Sequence, residues 1–142
     1  MKSLMRGLLF AAILCSVGCG KDLSVDNCAK VYVDQSSYSF EDMRFVSTNN
    51  LFSISNNINS GMDLDIVLDG EKIGDYTMGY WNRVSFSIGS DYYTSVSGVI
   101  TTTLFESNVI KGSFEGVFAK NGKATQQYRA SGTFKAFYAA PK

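Results

Sequence analysis

The sequence predicts an all-β protein: an antiparallel meander of roughly eight strands, forming a small barrel or a two-sheet sandwich after a cleaved signal peptide. Three observations carry this expectation. Apolar and polar residues alternate at period two along most of the chain, while helical spacing is scarce. Asn121-Gly122 stands between two alternating runs, a strong hairpin signal. The single proline, Pro141, lies past the last of these runs and breaks none of them.

The N-terminus reads differently. Lys2 and Arg6 precede a nine-residue apolar run, Gly7 to Cys15. A bilayer-spanning helix needs about 20 apolar residues, so the run is too short. A basic start, about 7–15 apolar residues and small residues at the cut describe a secretory signal peptide, here residues 1–18. Ser16-Val17-Gly18-Cys19 resembles the lipobox of bacterial lipoproteins, in which cleavage after Gly18 leaves Cys19 as the acylated first residue. Its departure from the pattern is Ser16, where leucine is usual. Ser16 and Gly18 equally satisfy the small-x-small rule of ordinary signal peptidase, which would give a soluble secreted or periplasmic protein.

The cysteines separate the two routes. Acylation of Cys19 leaves Cys28 without an intramolecular partner once Cys15 departs with the leader. Without acylation, Cys19 and Cys28 can pair in an oxidising compartment. The plainest reading of Cys28 is a small, inert residue. Resemblance to triacylated lipoproteins implies lasting membrane attachment through Cys19, since one chain alone holds only marginally. Gly20, standing where inner-membrane lipoproteins of well-studied bacteria carry Asp, implies the outer membrane. Lys21-Asp22 resembles short signals for the cell surface.

Residues 19–30 are polar and unpatterned and read as a flexible tether to a single domain over residues 31–140. Val31 to Val33 and Met43 to Val46 are short strand candidates. Leu51 to Ile58 places Phe52 and Ile54 on one face. In residues 62–70, Met62, Leu64, Ile66 and Leu68 oppose Asp63, Asp65, Val67 and Asp69, so one face is core and the other wet. Ile73 to Gly79 follows a turn at residues 69–72. Arg83 to Ile88 alternates Val84, Phe86 and Ile88 against Arg83, Ser85 and Ser87, and Gly89-Ser90-Asp91 turns the chain. Thr94 to Phe105 is rich in the β-branched residues that suit a pleated surface.

The last hairpin joins residues 110–118 to residues 129–137. Ile110, Gly112, Phe114, Gly116 and Phe118 share a face on one arm; Tyr128, Ala130, Gly132, Phe134, Ala136 and Tyr138 share one on the other. Glycine within a strand costs entropy and packing, so it needs a reason. Alternation with phenylalanine supplies one: small positions let the strand bend, and neighbouring rings cover the bare backbone.

Tyr93-Thr94-Ser95, Ser97-Gly98-Val99-Ile100-Thr101, Ile110-Lys111-Gly112-Ser113-Phe114 and Ser131-Gly132-Thr133-Phe134 follow one another in a fixed order. This order resembles small Bacteroidota lipoproteins of unknown function, which share a Ser-Gly-x-Ile-Thr strand followed by an Ile-x-Gly-Thr/Ser-Phe hairpin. The likeness is strongest from about residue 92. The aspartate–glycine and tryptophan element of that group is not plain here, where Asp34 and Tyr38 stand in its region. The resemblance implies an all-β domain and a lipid anchor, and no activity.

Composition narrows the function. Histidine is absent, which removes Ser–His–Asp and Cys–His catalysis and His-ligated zinc. Setting Lys2 and Arg6 aside leaves 11 basic against 13 acidic residues, a net −2 that does not suit nucleic acid. Residues 19–91 hold 11 acidic and 5 basic side chains and residues 92–142 hold 2 and 6, yet interleaved strands would mix the charges. Asp63, Asp65, Asp69 and Glu71 suggest oxygen ligation of calcium, but the spacing is not an EF-hand loop and a solvated strand face explains them. No carboxylate pair or nucleophile stands out, so no catalytic residue, metal or cofactor is expected.

Tyr80, Trp81 and Arg83 form the plausible contact patch, because exposed aromatics stack on sugar rings or anchor a partner. Adjacent residues on a strand face opposite sides, so at least one ring of each pair, Tyr80-Trp81 and Tyr92-Tyr93, is expected to serve the core. The expected function is a non-catalytic outer-membrane lipoprotein that binds an envelope protein or a glycan. The alternatives are a barrel holding a small apolar ligand between Phe114, Phe118 and Phe134, and an immunity or inhibitor lipoprotein.

Overall fold

A computed structural model describes residues 27–56 and 61–140. The expected signal peptide, Gly18, Cys19 and most of the tether lie outside the described residues. Within them the protein is all-β. Its strands are β1 (Ala29–Val33), β2 (Ser36–Phe40), β3 (Met43–Thr48), β4 (Leu51–Asn56) and β5 (Met62–Asp69). They continue as β6 (Gly74–Thr77), β7 (Arg83–Ile88), β8 (Asp91–Phe105), β9 (Val109–Lys120) and β10 (Lys123–Tyr138).

The pairings run in a circuit: β3, β4, β5, β7, β8, β9, β10 and back to β3. All are antiparallel except the closing one, where Phe137 and Tyr138 lie parallel to Arg44 and Phe45. β1 and β2 extend outward from β10, and β6 lies against β8. The long strands serve two neighbourhoods each. Residues 91–94 of β8 pair with β7, whereas residues 99–102 pair with β6. Residues 130–134 of β10 pair with β1, whereas its end meets β3. A layer in the order β2-β1-β10-β9-β8-β6 therefore curls onto β3-β4-β5-β7.

The curl has local causes. β8 breaks register between Ser95 and Ser97 and again between Thr102 and Leu104, and each irregularity bends and twists the strand. Gly98 sits at φ +139, directly opposite Gly116. A Cβ at Gly98 would meet the Glu115 carbonyl and the Gly116 backbone, so the two strands approach as only glycine permits.

The inward faces meet in one core. Leu64, Ile66 and Leu68 of β5 and Val84 and Phe86 of β7 are buried, as the alternation requires. The glycine–phenylalanine faces fit reciprocally: Phe114 stands opposite Gly132, and Phe134 opposite Gly112. A Cβ on Gly132 would lie 2.6 Å from Phe114 Cζ, and one on Gly112 would lie 2.8 Å from Phe134 Cζ. Phe118 carries the ring stack on to Phe86, centroids 5.3 Å apart.

The structure departs from the expected meander in four respects. Its described residues form ten strands rather than about eight. β5 pairs with β7, leaving β6 as an excursion to the opposite layer. β10 inserts between β1 and β3. β2 is a strand that no sequence element anticipates; Asp34 at φ 53 turns the chain and sets Val33 opposite Ser36. The folded part also begins earlier than residue 31. Ala29 and Lys30 belong to β1, and buried Asn27 donates through Nδ2 to Asp42 Oδ1 at 3.0 Å and to the Met43 carbonyl at 3.3 Å.

Candidate functional site

The β5–β6–β7 excursion begins with a clamp. Tyr76 projects inward from β6, and its hydroxyl donates to the Lys72 carbonyl at 2.8 Å while accepting the Lys72 N–H at 2.9 Å. Buried Thr102 donates to the same carbonyl at 2.6 Å. Burial raises the Tyr76 pKa, so the phenol stays neutral and keeps its donor through the ordinary pH range. The loop after β5 is thus fastened to the opposite layer.

The second loop, residues 78–82, is fastened by Asn82. Its carbonyl accepts the Gly79 N–H at 2.8 Å, and its Oδ1 accepts the Asp69 N–H at 2.8 Å. Its Nδ2 donates to the Thr77 carbonyl at 3.3 Å. At the tip, Tyr80 is 81% exposed and Trp81 56% exposed. Their rings stand edge to face with centroids 4.8 Å apart. Arg83 Nη1 lies 3.5 Å from the Tyr80 carbonyl. The three residues singled out in sequence are therefore adjacent and solvent-facing.

One expectation fails here. Neither Tyr80 nor Trp81 serves the core, because they lie on a loop and no strand alternation divides them. Tyr92 and Tyr93 do lie on a strand and do divide, with Tyr93 buried and Tyr92 exposed. Tyr93 stacks on Phe86 with centroids 4.8 Å apart, and burial raises its pKa. Lys120 sits 5.9 Å over both the Tyr93 and Tyr128 rings and bridges Asp91 at 2.8 Å.

Among known proteins, no family model, no curated protein and no solved structure matches this chain.

A second surface feature lay beyond sequence reasoning. Across the outer face of β1, β10, β9 and β8 runs a depression of about 490 Å³, adjoined by another of about 320 Å³. Tyr32, Val99, Glu115 and Ser131 line both. Arg129, Asp34 and Ser97 complete the larger one. What brings these residues together is β10, near the end of the chain, pairing with β1 near its start.

The acidic residues of β5 have ordinary partners. Ser53 donates to Asp65 at 3.1 Å and Ser87 to Asp63 at 3.3 Å. Among the described residues, no three His, Cys, Asp or Glu side chains converge as a metal site would require. Phe114, Phe118 and Phe134 are buried against glycines and one another. Cys28 is disulfide-bonded, in place of the inert residue expected from sequence.

Proposed function

We propose that the protein is an exported, non-catalytic module of the bacterial envelope, held at the outer membrane by lipid on Cys19 and contacting an envelope protein or glycan through Tyr80, Trp81 and Arg83. The observation that carries this reading is the aromatic tip. Large rings are exposed on a loop that hydrogen bonds hold rigid, so little ordering entropy opposes binding. The packed phenylalanines favour a filled interior over an enclosed apolar ligand. An immunity or inhibitor role would use the same tip.

The test has two arms. Cys19→Ala leaves the domain folded and moves it out of the membrane fraction; retention there removes the anchor. Capture from detergent-solubilised envelopes recovers a partner with the wild type and loses it with Trp81→Ala; equal recovery removes the tip.

The disulfide at Cys28 favours a second reading. It calls for an oxidising compartment, which export supplies. A bond to Cys19 would exclude a thioether on the same sulfur, giving a soluble secreted protein. Intact mass decides: acyl chains add mass, whereas an intramolecular disulfide removes two hydrogens.

A further inference from the structure

We infer that the aromatic tip and the outer-face depression form one extended site for a neutral oligosaccharide strand, an inference that rests on the tip being a contact surface. The pairing registers place Tyr32, Ser131, Glu115, Val99 and Thr77 in a single row across β1, β10, β9, β8 and β6. At about 4.8 Å per strand, the row spans about 19 Å. The next row runs Lys30, Thr133, Ser113, Thr101 and Asp75, so side-chain hydroxyls form the middle of the floor between two opposite charges. The tip adjoins one end. Met78 donates its N–H to the Gly98 carbonyl at 2.9 Å, which fastens the start of the 78–82 loop to the segment lining the depression. An aromatic platform thus stands at each end, Tyr32 on one side and Tyr80–Trp81 on the other.

Three physical arguments select the occupant. From β1 to β8 the row crosses strands paired on both sides, where main-chain N–H and C=O groups are committed to the ladders. An extended peptide adds to a free edge, which the row meets only at β6, its last strand, so a peptide finds no such partner along the depression itself. A sugar instead brings its own hydroxyls to Ser131, Ser97 and Glu115 and offers ring faces to Tyr32 and Trp81. The charges balance: Asp34, Asp75 and Glu115 stand against Lys30, Arg83 and Arg129, so neither a polyanion nor a polycation is favoured.

The placement of the tip argues against a bilayer as occupant. The described chain enters at Asn27, whose carbonyl accepts the Met43 N–H at the start of β3. β3 ends at Thr48, opposite Leu51, which in turn stands opposite Asp69. Asp69 donates its N–H to Asn82 beside the tip. Chain entry and tip therefore lie at opposite ends of β3, and a membrane tether on the entry side points Trp81 away from its membrane.

Trp81 is the only tryptophan in the chain, so its emission reports on this site alone. The full protein, purified from its membrane, is titrated with β-linked glucose, β-linked N-acetylglucosamine and α-linked glucose oligosaccharides and with soluble glycan strands from digested peptidoglycan. At least one is expected to shift the emission saturably. Tyr32→Ala and Arg129→Ala, each an exposed position with circular dichroism confirming the fold, are expected to weaken that binding by about tenfold, the worth of one or two hydrogen bonds. The inference is overturned when no saccharide moves the emission, or when binding survives both substitutions unchanged. A shift with anionic lipid vesicles alone also overturns it. Envelope capture that still depends on Trp81 while every saccharide is silent preserves the contact module and removes only the sugar.

Discussion

In the β9–β10 hairpin, Phe114 and Phe134 each lie over a glycine of the opposite strand. In the 78–82 loop, Tyr80 and Trp81 contact each other and face water. Both regions are aromatic-rich, and both are held by well-placed hydrogen bonds. They differ in what the backbone does with adjacent side chains. A ladder sends successive residues to opposite faces, so an aromatic stripe at period two becomes core. A loop imposes no alternation, so two neighbouring rings can both remain outside. Aromatic content alone therefore says little about binding; aromatic residues away from a ladder say more.

The contrast can be broken or sharpened by substitution, beginning with the hairpin. Phe118→Ala removes a ring that is 0% exposed and is expected to cost about 3–5 kcal/mol in urea unfolding. Gly132→Ala adds one methyl where the Phe114 ring already lies, and about 1–3 kcal/mol should follow from overpacking. A neutral result would mean that the ring swings aside and the reciprocal fit is not a constraint. Tyr76→Phe deletes the clamp hydroxyl and leaves the Lys72 N–H without its acceptor. It should cost about 1–3 kcal/mol and loosen the excursion, seen as faster amide exchange at residues 70–73.

The ion pair at the other end of the hairpin tests a smaller effect through pH. A hydrogen bond from Lys120 lowers the Asp91 pKa. A carboxylate lowered in the folded state contributes stability above its ordinary value and loses it as pH falls through the folded value. The urea midpoint should therefore fall on acidification less steeply in Asp91→Asn than in the wild type. Identical acid limbs would show the pair to be inert. At the tip, Trp81→Ala should change stability by no more than about 0.5 kcal/mol while abolishing partner capture. A large loss of stability would make Trp81 a structural residue after all.

Much of this comparison was legible in the sequence. Strands β5 and β7, the Asn121-Gly122 turn and the glycine–phenylalanine faces follow from local alternation and turn chemistry. Asn49 and Asn50, at φ 51 and 66, make a similar turn that asparagine's tolerance of this backbone region could have revealed. Tyr80, Trp81 and Arg83 were legible as a contact patch from their aromatic and cationic chemistry, but the loop that leaves both rings outside was not. The outer-face depression was not legible, since it depends on β1 meeting β10. β2 was hidden because serine is ambivalent, and its strand identity comes from pairing with β1. The clamp on Lys72 was hidden for a related reason: alternation marks Tyr76 as inward, but not what its hydroxyl reaches.

The circuit of strands is sealed by its final element, and only at Phe137 and Tyr138. β10 is also the strand that supplies β1 with a second neighbour. A chain emerging from its amino end therefore cannot complete either flank until nearly all of it is present. Assembly waits on contacts between the earliest and latest residues, the slow kind in which loop closure precedes any reward. Such a chain acquires its final shape only after its last strand has been made.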